Sequence, residues 1–141
     1  MKKLRMLLAV VVGVMPVGAA PASASSEPIV ITYEKTCNEL TGHCVGSTGD
    51  GGTLEMQVTG LRPTGRAAQL TMNEEVVGDV SFRAEMRAHF SPAGFIVLNG
   101  TVTEGSFLGA QIHQRSNLVG VSADGTMTSW IGELRLMPKS S

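Results

Sequence analysis

The sequence predicts an all-β protein that forms a single antiparallel closed barrel of about eight strands, with a two-sheet β-sandwich as the alternative. Three observations lead to this prediction. Residues 80–90 alternate strictly between apolar and polar side chains. Similar short segments follow one another along the chain, with turn-forming residues between them. Beyond the N-terminal segment, no stretch longer than two helical turns carries an apolar stripe of helical period.

Residues 80–90 give the clearest strand signal in the chain. Successive side chains on a strand point to opposite faces, so this segment has one apolar face and one charged face. We therefore expect it to lie at the centre of a sheet whose apolar side the other segments cover. Its apolar positions are Val80, Phe82, Ala84, Met86, Ala88 and Phe90.

The first 24 residues have the composition of a secretory signal peptide. Lys2, Lys3 and Arg5 precede an apolar run at residues 7–14, which is too short to span a bilayer. Small residues at 22–24 fit a cleavage site, although a membrane anchor is the alternative. We expect a signal peptide at residues 1–24 and one β-barrel domain at residues 25–141. This domain would be secreted or lie in the periplasm or on the cell-envelope exterior, without a membrane span.

The charge of the mature chain argues against two classes of partner. Three of the 11 basic residues and none of the 12 acidic residues lie in the first 24 positions, so the mature net charge is 8 − 12 = −4. A mildly acidic chain without a basic stripe gives no electrostatic basis for binding nucleic acid or anionic lipid. We therefore expect no nucleic-acid partner.

The two cysteines, Cys37 and Cys44, both follow the predicted signal peptide. An exported chain enters an oxidising space, so a disulfide between them is the expected state. A metal site that also uses the neighbouring His43 is the alternative. It is disfavoured because zinc sites need three or four well-spaced ligands and no further cysteine is present.

Shorter strand segments precede the central one. Alternating or β-branched residues indicate strands at 29–34, 54–59 and 68–73, and a short strand that begins at Val45. Glycine, proline and asparagine mark turns between these segments. Residues 74–79 are interpreted as a turn that leads into the central strand, with Glu74 and Glu75 pointing in opposite directions.

Four strand segments follow the central one, at 95–103, 107–115, 118–121 and 127–137. Glu104-Gly105 is a plausible two-residue hairpin turn, and Ala123-Asp124-Gly125 is a second hairpin signal. Short sequential turns favour an antiparallel meander, and a meander of this many twisted strands has two exposed edges unless it closes. This is why the barrel is preferred over the sandwich.

Three residues are candidates for ligand contacts. With a turn at residues 104–105, Gln111 and His113 share a face with Leu98 and Val102. They would then lie either at the polar mouth of a dry lumen or at an open end in contact with water. Trp130 is expected in the core, with a ligand contact in the lumen as the alternative.

One motif carries a resemblance to a known family. Gly105-Ser106-Phe107-Leu108-Gly109-Ala110 follows a strand that contains Asn99-Gly100-Thr101. This arrangement resembles a recurrent part of the allene oxide cyclase and dirigent-like β-barrels. The resemblance implies a closed barrel with a hydrophobic lumen, and it assigns no catalytic residue. The mature chain also resembles small exported bacterial proteins of unassigned activity.

The remaining polar clusters do not form a recognisable catalytic set. Glu85, Arg87 and His89 lie on the polar face of the central strand, where a solvated surface is the ordinary interpretation. The loop at residues 46–52 lacks the lysine and the helix of a phosphate-binding loop. We expect no cofactor, no metal and no catalytic residue.

Three functional hypotheses follow. The first is a non-enzymatic exported barrel that binds a small apolar ligand or a partner. The second is a cyclase-type enzyme with a hydrophobic lumen, for which Gln111 and His113 are the only candidate groups. The third is a surface or interaction domain with a packed interior. The sequence leaves the oligomeric state open.

Overall fold

The computed structural model describes residues 27–64 and 67–138, which form eight β-strands and no helix. The predicted signal peptide at residues 1–24 lies outside the described residues. No helix in the described ranges is long and apolar enough to cross a membrane. The strands are β1 (Ile29–Asn38), β2 (His43–Thr48), β3 (Thr53–Thr64), β4 (Ala67–Val77), β5 (Phe82–Ser91), β6 (Phe95–Gly105), β7 (Gln111–Val121) and β8 (Met127–Met137).

The strands close into a single barrel. Each strand pairs antiparallel with the next, and β8 pairs with β1 from Ile29↔Leu136 to Asn38↔Met127. Every strand therefore has two neighbours, and no sheet edge remains open. The closed eight-stranded barrel is confirmed, and the two-sheet sandwich is wrong for this chain.

Alternation along each strand separates a dry interior from a polar outer face. The central strand behaves as predicted, because Phe82, Ala84, Met86 and Ala88 are at most 3% exposed and the intervening charged residues face solvent. Phe90 is an exception at 42% exposure. It lies near the end of β5, where the strand leaves the core.

The turn predicted at residues 74–79 begins too early, because residues 74–77 belong to a strand. Strand β4 continues to Val77, and Glu74 pairs with Met56 on one side and Ala84 on the other. The β-branched residues at 76 and 77 extend the strand, and the alternation that starts at Leu70 places Glu74 inside the barrel. The pair of adjacent glutamates concealed this pattern.

The turn expected at Glu104-Gly105 is also misplaced. Strand β6 extends to Gly105, the connection occupies residues 106–110, and Gly100 pairs with Ile112. Phe107 adopts a φ of 60° within this connection. Because strand side chains alternate, the shift exchanges the two faces of β7, and Gln111 and His113 point outward.

Two further segments differ from the predicted turns and breaks. Residues 60–64 of the turn cluster predicted at residues 60–65 belong to strand β3, which continues to Thr64 after a bulge between Val58 and Gly60. Strand β7 runs without interruption from Gln111 to Val121. Both differences lengthen the strands and leave their order unchanged.

The two ends of the barrel differ. The connections β1–β2, β3–β4, β5–β6 and β7–β8 lie at one end, which we call the mouth. The other end, the base, carries the remaining connections together with the start of β1 and the end of β8. The Cys37–Cys44 disulfide joins directly paired residues of β1 and β2 near the mouth, which confirms the predicted bridge.

The disulfide should stabilise the barrel. A Cys37→Ala/Cys44→Ala double variant is expected to lower the free energy of unfolding by about 2–3 kcal/mol, because the bridge restricts a short loop of the unfolded chain. Urea denaturation measures this change, and reduced wild-type protein is the control because it keeps both side chains. Two free thiols in denatured, unreduced protein would contradict the bridge.

Candidate functional site

The mouth opens into a cavity of about 420 Å³. Its walls are mostly apolar and come from seven different strands and the β1–β2 connection, and two charged residues, Lys35 and Glu39, also line it. We call this space the mouth cavity. Its apolar lining includes Val58, Leu70, Met72, Ile96, Leu98 and Trp130.

The base of the barrel is filled. Leu54, Val76, Phe82, Leu134 and Leu136 are each at most 3% exposed. These packed side chains close the base end of the interior. The mouth cavity is therefore blind at its inner end and accessible from the mouth. A ligand would therefore enter and leave at the mouth.

Besides Thr48, five polar side chains of the described residues lie buried in the interior, and we call these five the lumen cluster. Each is at most 5% exposed. They come from β1, β4 and β7, whose inward positions face one another across the barrel. The lumen cluster consists of Tyr33, Lys35, Glu74, Gln114 and Ser116.

Tyr33 is the centre of the hydrogen-bonded part of the lumen cluster. Its hydroxyl is bonded to Ser116 Oγ, accepts from Gln114 Nε2 at 3.1 Å, and lies 3.3 Å from the carbonyl oxygen of Arg115. Burial raises the pKa of Tyr33 to about 12, with the bonds to Ser116 and Gln114 opposing the shift. Tyr33 is therefore neutral and structural at physiological pH.

A glycine makes room for this hydroxyl. Gly132 pairs with Tyr33 on the neighbouring strand, and a Cβ at this position would collide with the Tyr33 ring and with the carbonyl of Arg115. Gly46 plays a similar part beside Lys35, its partner on β2. Small residues on the inner face thus give the larger polar side chains their space.

Lys35 is a buried cation on the wall of the mouth cavity. Its Nζ lies 3.3 Å from Met56 Sδ and 5.6 Å from the centre of the Tyr33 ring. Among the described residues, no carboxylate oxygen lies within 4.0 Å of Nζ. Burial lowers the pKa of Lys35 to about 8, and the charges of Glu74 and Glu39 oppose this shift.

Glu74 is the acidic counterpart of Lys35. Its side chain is 1% exposed, and neither carboxyl oxygen has a hydrogen-bond partner within the described part of the chain. Burial raises the pKa of Glu74 to about 7, against the opposing effects of the Lys35 charge and the Gln114 amide. The lumen cluster therefore contains an acid and a base that both change charge near neutral pH.

The three predicted ligand-contact residues have different positions. Trp130 lies on the wall of the mouth cavity at 8% exposure, and its Nε1 donates to Thr128 Oγ1 at 2.8 Å. Gln111 and His113 are exposed on the outer face of β7, where His113 Nδ1 lies 2.6 Å from Asn99 Oδ1. Of the two positions expected for Gln111 and His113, the one in the lumen is wrong because it depends on the misplaced turn, and the contact with water agrees with their exposure.

Two other sequence interpretations are resolved by side-chain positions. The alternative of a metal site at the cysteines fails, because both sulfurs are in the disulfide and His43 Nε2 lies 2.6 Å from Glu55 Oε2 at the surface. Among the described residues, no group of three His, Cys, Asp or Glu side chains could hold a metal ion. The polar residues Glu85, Arg87 and His89 lie on the exposed outer face of β5, as interpreted.

The sequence contained a signal for the missed residues. Lys35 lies between Tyr33 and Cys37 on the inward positions of β1, and Glu74 lies between Met72 and Val76 on those of β4. A single charge at an inward position of an otherwise apolar face, with opposite signs on two strands, predicts a buried ionisable pair in a closed barrel. This pair can be recognised from the sequence once β4 is extended beyond residue 73 to Val77.

The ionisation of Glu74 should make stability depend on pH. Its pKa is about 7 in the folded protein and about 4.5 in the unfolded chain, so between these values the folded protein binds the extra proton. The free energy of unfolding should therefore fall by roughly 2–3 kcal/mol as pH rises from 4.5 to 7. Lys35 acts in the opposite direction above pH 8, because its folded pKa lies below the unfolded value of 10.5.

Urea denaturation of wild type and Glu74→Gln at pH 5 and pH 7.5 measures this effect. In Glu74→Gln the free energy of unfolding should fall much less between pH 5 and pH 7.5 than in wild type, since an amide does not ionise. Glu85→Gln is the matched control on the outer face and should retain the wild-type dependence. Equal pH dependence in Glu74→Gln and wild type would contradict the assignment of the decrease to Glu74.

The glycine beside Tyr33 allows a second test. Gly132→Ala should lower the free energy of unfolding by about 2 kcal/mol, because the added methyl group overpacks the interior. Gly120→Ala is the control on the adjacent strand. Its Cβ would lie 3.7 Å from Ser129 Cβ, an ordinary contact, and the variant should remain within about 1 kcal/mol of wild type. Thermal or urea denaturation compares the two, and equal losses would contradict the close approach at Gly132.

In comparisons with known proteins, no family model, no curated protein and no solved structure matches this chain. The resemblance to allene oxide cyclase and dirigent-like barrels therefore stays a prediction.

Proposed function

We propose that the protein binds a small apolar molecule in the mouth cavity and releases it chemically unchanged. The observation that carries this proposal is a blind, mostly apolar cavity of about 420 Å³ in the interior of the barrel. This volume falls in the range of small-molecule sites, which are concave, apolar and supplied with a few polar groups. Lys35 and the indole N–H of Trp130 are polar groups of this kind.

The rim of the mouth supports uptake of an apolar molecule. Leu40 is 79% exposed, Leu61 is 65% exposed and Phe90 is 42% exposed, and all three line the mouth cavity. Exposed apolar side chains next to an apolar cavity offer an apolar ligand its first contacts, because the transfer of apolar surface out of water is favourable. At the base, the interior positions of the described residues are filled by buried apolar side chains.

Binding is favoured over the two other hypotheses. Cyclase-type chemistry was expected to use Gln111 and His113, and both side chains point away from the lumen. A packed interaction domain is disfavoured by the cavity itself. We also propose that the protein acts outside the cytoplasm, which the Cys37–Cys44 bridge supports because disulfides persist in oxidising compartments.

An uncharged fluorescent dye, N-phenyl-1-naphthylamine, tests the binding site. We expect saturable binding with increased dye fluorescence, since the dye would move from water into an apolar cavity. Leu70→Trp should weaken binding at least about tenfold, equivalent to 1.4 kcal/mol, by filling the cavity. Leu70 is partly buried and lines the mouth cavity.

Leu108→Trp is the matched control. Leu108 is 65% exposed on the β6–β7 connection at the base, so this substitution adds the same side chain at the opposite end. Dye affinity should stay within about twofold of wild type. This corresponds to a smaller change in binding free energy than the 1.4 kcal/mol of a tenfold change in Kd. Absence of saturable binding, or equal loss in both variants, would overturn the proposal.

A further inference from the structure

Lys35 is chemically distinct from the other groups of the mouth cavity. It is the only lysine among residues 27–138, and its side chain is 5% exposed while lining the cavity. Its amine contacts a thioether and the face of a tyrosine, and no carboxylate lies within ion-pair distance among the described residues. A primary amine in these surroundings is a nucleophile when it is neutral.

The surroundings of Lys35 favour a neutral polar group on the ligand. Glu39 at the rim and Glu74 in the interior both act on Lys35 as negative charges. An anionic head group would approach both carboxylates as well as the amine, which offsets part of its attraction to Lys35. A carbonyl group carries no net charge and reacts with an amine.

Burial also supplies the neutral amine. The pKa of Lys35 falls to about 8, so a substantial fraction of the side chain is unprotonated near neutral pH. In water, an ordinary lysine is almost entirely protonated under the same conditions. The lysine on the cavity wall therefore carries a reactive amine, which lies beside Met56 Sδ and the Tyr33 ring.

We propose that Lys35 is a reversible covalent attachment site for a small apolar aldehyde, an inference that rests on the proposed role of the mouth cavity in apolar binding. The nitrogen lone pair attacks the carbonyl carbon and forms the C–N bond, while the carbonyl oxygen takes the proton that the nitrogen loses. The hydroxyl group then leaves as water with a second proton, and a C=N bond remains. One aldehyde and one amine give one imine and one water, with no oxidation or reduction.

The step is compatible with the neighbouring groups. Trp130 and Gly46 pair with Lys35 on the two adjacent strands. The direct strand neighbours of Lys35 are therefore one flat aromatic residue and one glycine. Glu74 has no hydrogen-bond partner among the described residues, and it can hold a proton near neutral pH. The ligand class is thus an aldehyde with an apolar body that fills the mouth cavity.

Reductive trapping tests this inference on the mature chain. The protein is incubated with octanal and cyanoborohydride, which reduces an imine to a stable secondary amine, and is then examined by intact mass and peptide mapping. We expect one octyl group on Lys35. Labelling should be at least about tenfold faster than at Lys139, because binding raises the local aldehyde concentration at the cavity.

Three controls separate the outcomes. Octan-1-ol should add no mass, and saturating N-phenyl-1-naphthylamine should slow labelling of Lys35. Lys35→Met should abolish this labelling. The wild-type peptide map decides the question even where the variant does not fold, because it compares Lys35 with Lys139 in one molecule.

Dye binding without labelling of Lys35, or labelling that favours Lys139 or the N-terminal amine, would overturn the imine site and leave the proposed binding function standing. Failure of both dye binding and labelling would overturn both. Labelling of Lys35 that the dye suppresses would support both.

Discussion

Pairing between β1 and β8 is the constraint on which the rest of the structure depends. It joins the first and last strands over ten residue pairs and turns a meander into a closed surface with an inside. Once the sheet closes, every inward position loses access to water except near the mouth. The same alternation that buries Leu134 therefore also buries Lys35 and Glu74, and their ionisation follows from topology rather than from local sequence.

The interior combines two kinds of packing. The base is an ordinary apolar core, whereas the lumen cluster places hydroxyl, amide, amine and carboxyl groups in the middle of the barrel. Buried polar groups without partners cost stability, and the oxygens of Glu74 and the Oε1 of Gln114 have none among the described residues. Apolar residues at these positions would avoid this cost, so the lumen cluster makes the barrel less stable than a wholly apolar core would.

Sequence patterns predicted the barrel well because strand period and turn chemistry are local properties. The alternation of residues 80–90 and the cysteine pair needed no tertiary information. The site was harder to predict, because one misplaced turn before β7 exchanged its faces and directed attention to Gln111 and His113. Likewise, Glu74 was assigned to a turn, since a charge within a strand looks like surface until closure decides which side is dry.

The position of Trp130 has a practical consequence. It is the single tryptophan of the chain, and it pairs directly with Lys35 across the β1–β8 seam while lining the mouth cavity. Indole emission responds to the polarity of its surroundings, and here it arises from one known place. The protein thus carries a built-in optical reporter of cavity occupancy, so that candidate ligands can be screened on the unlabelled chain without background from other tryptophans.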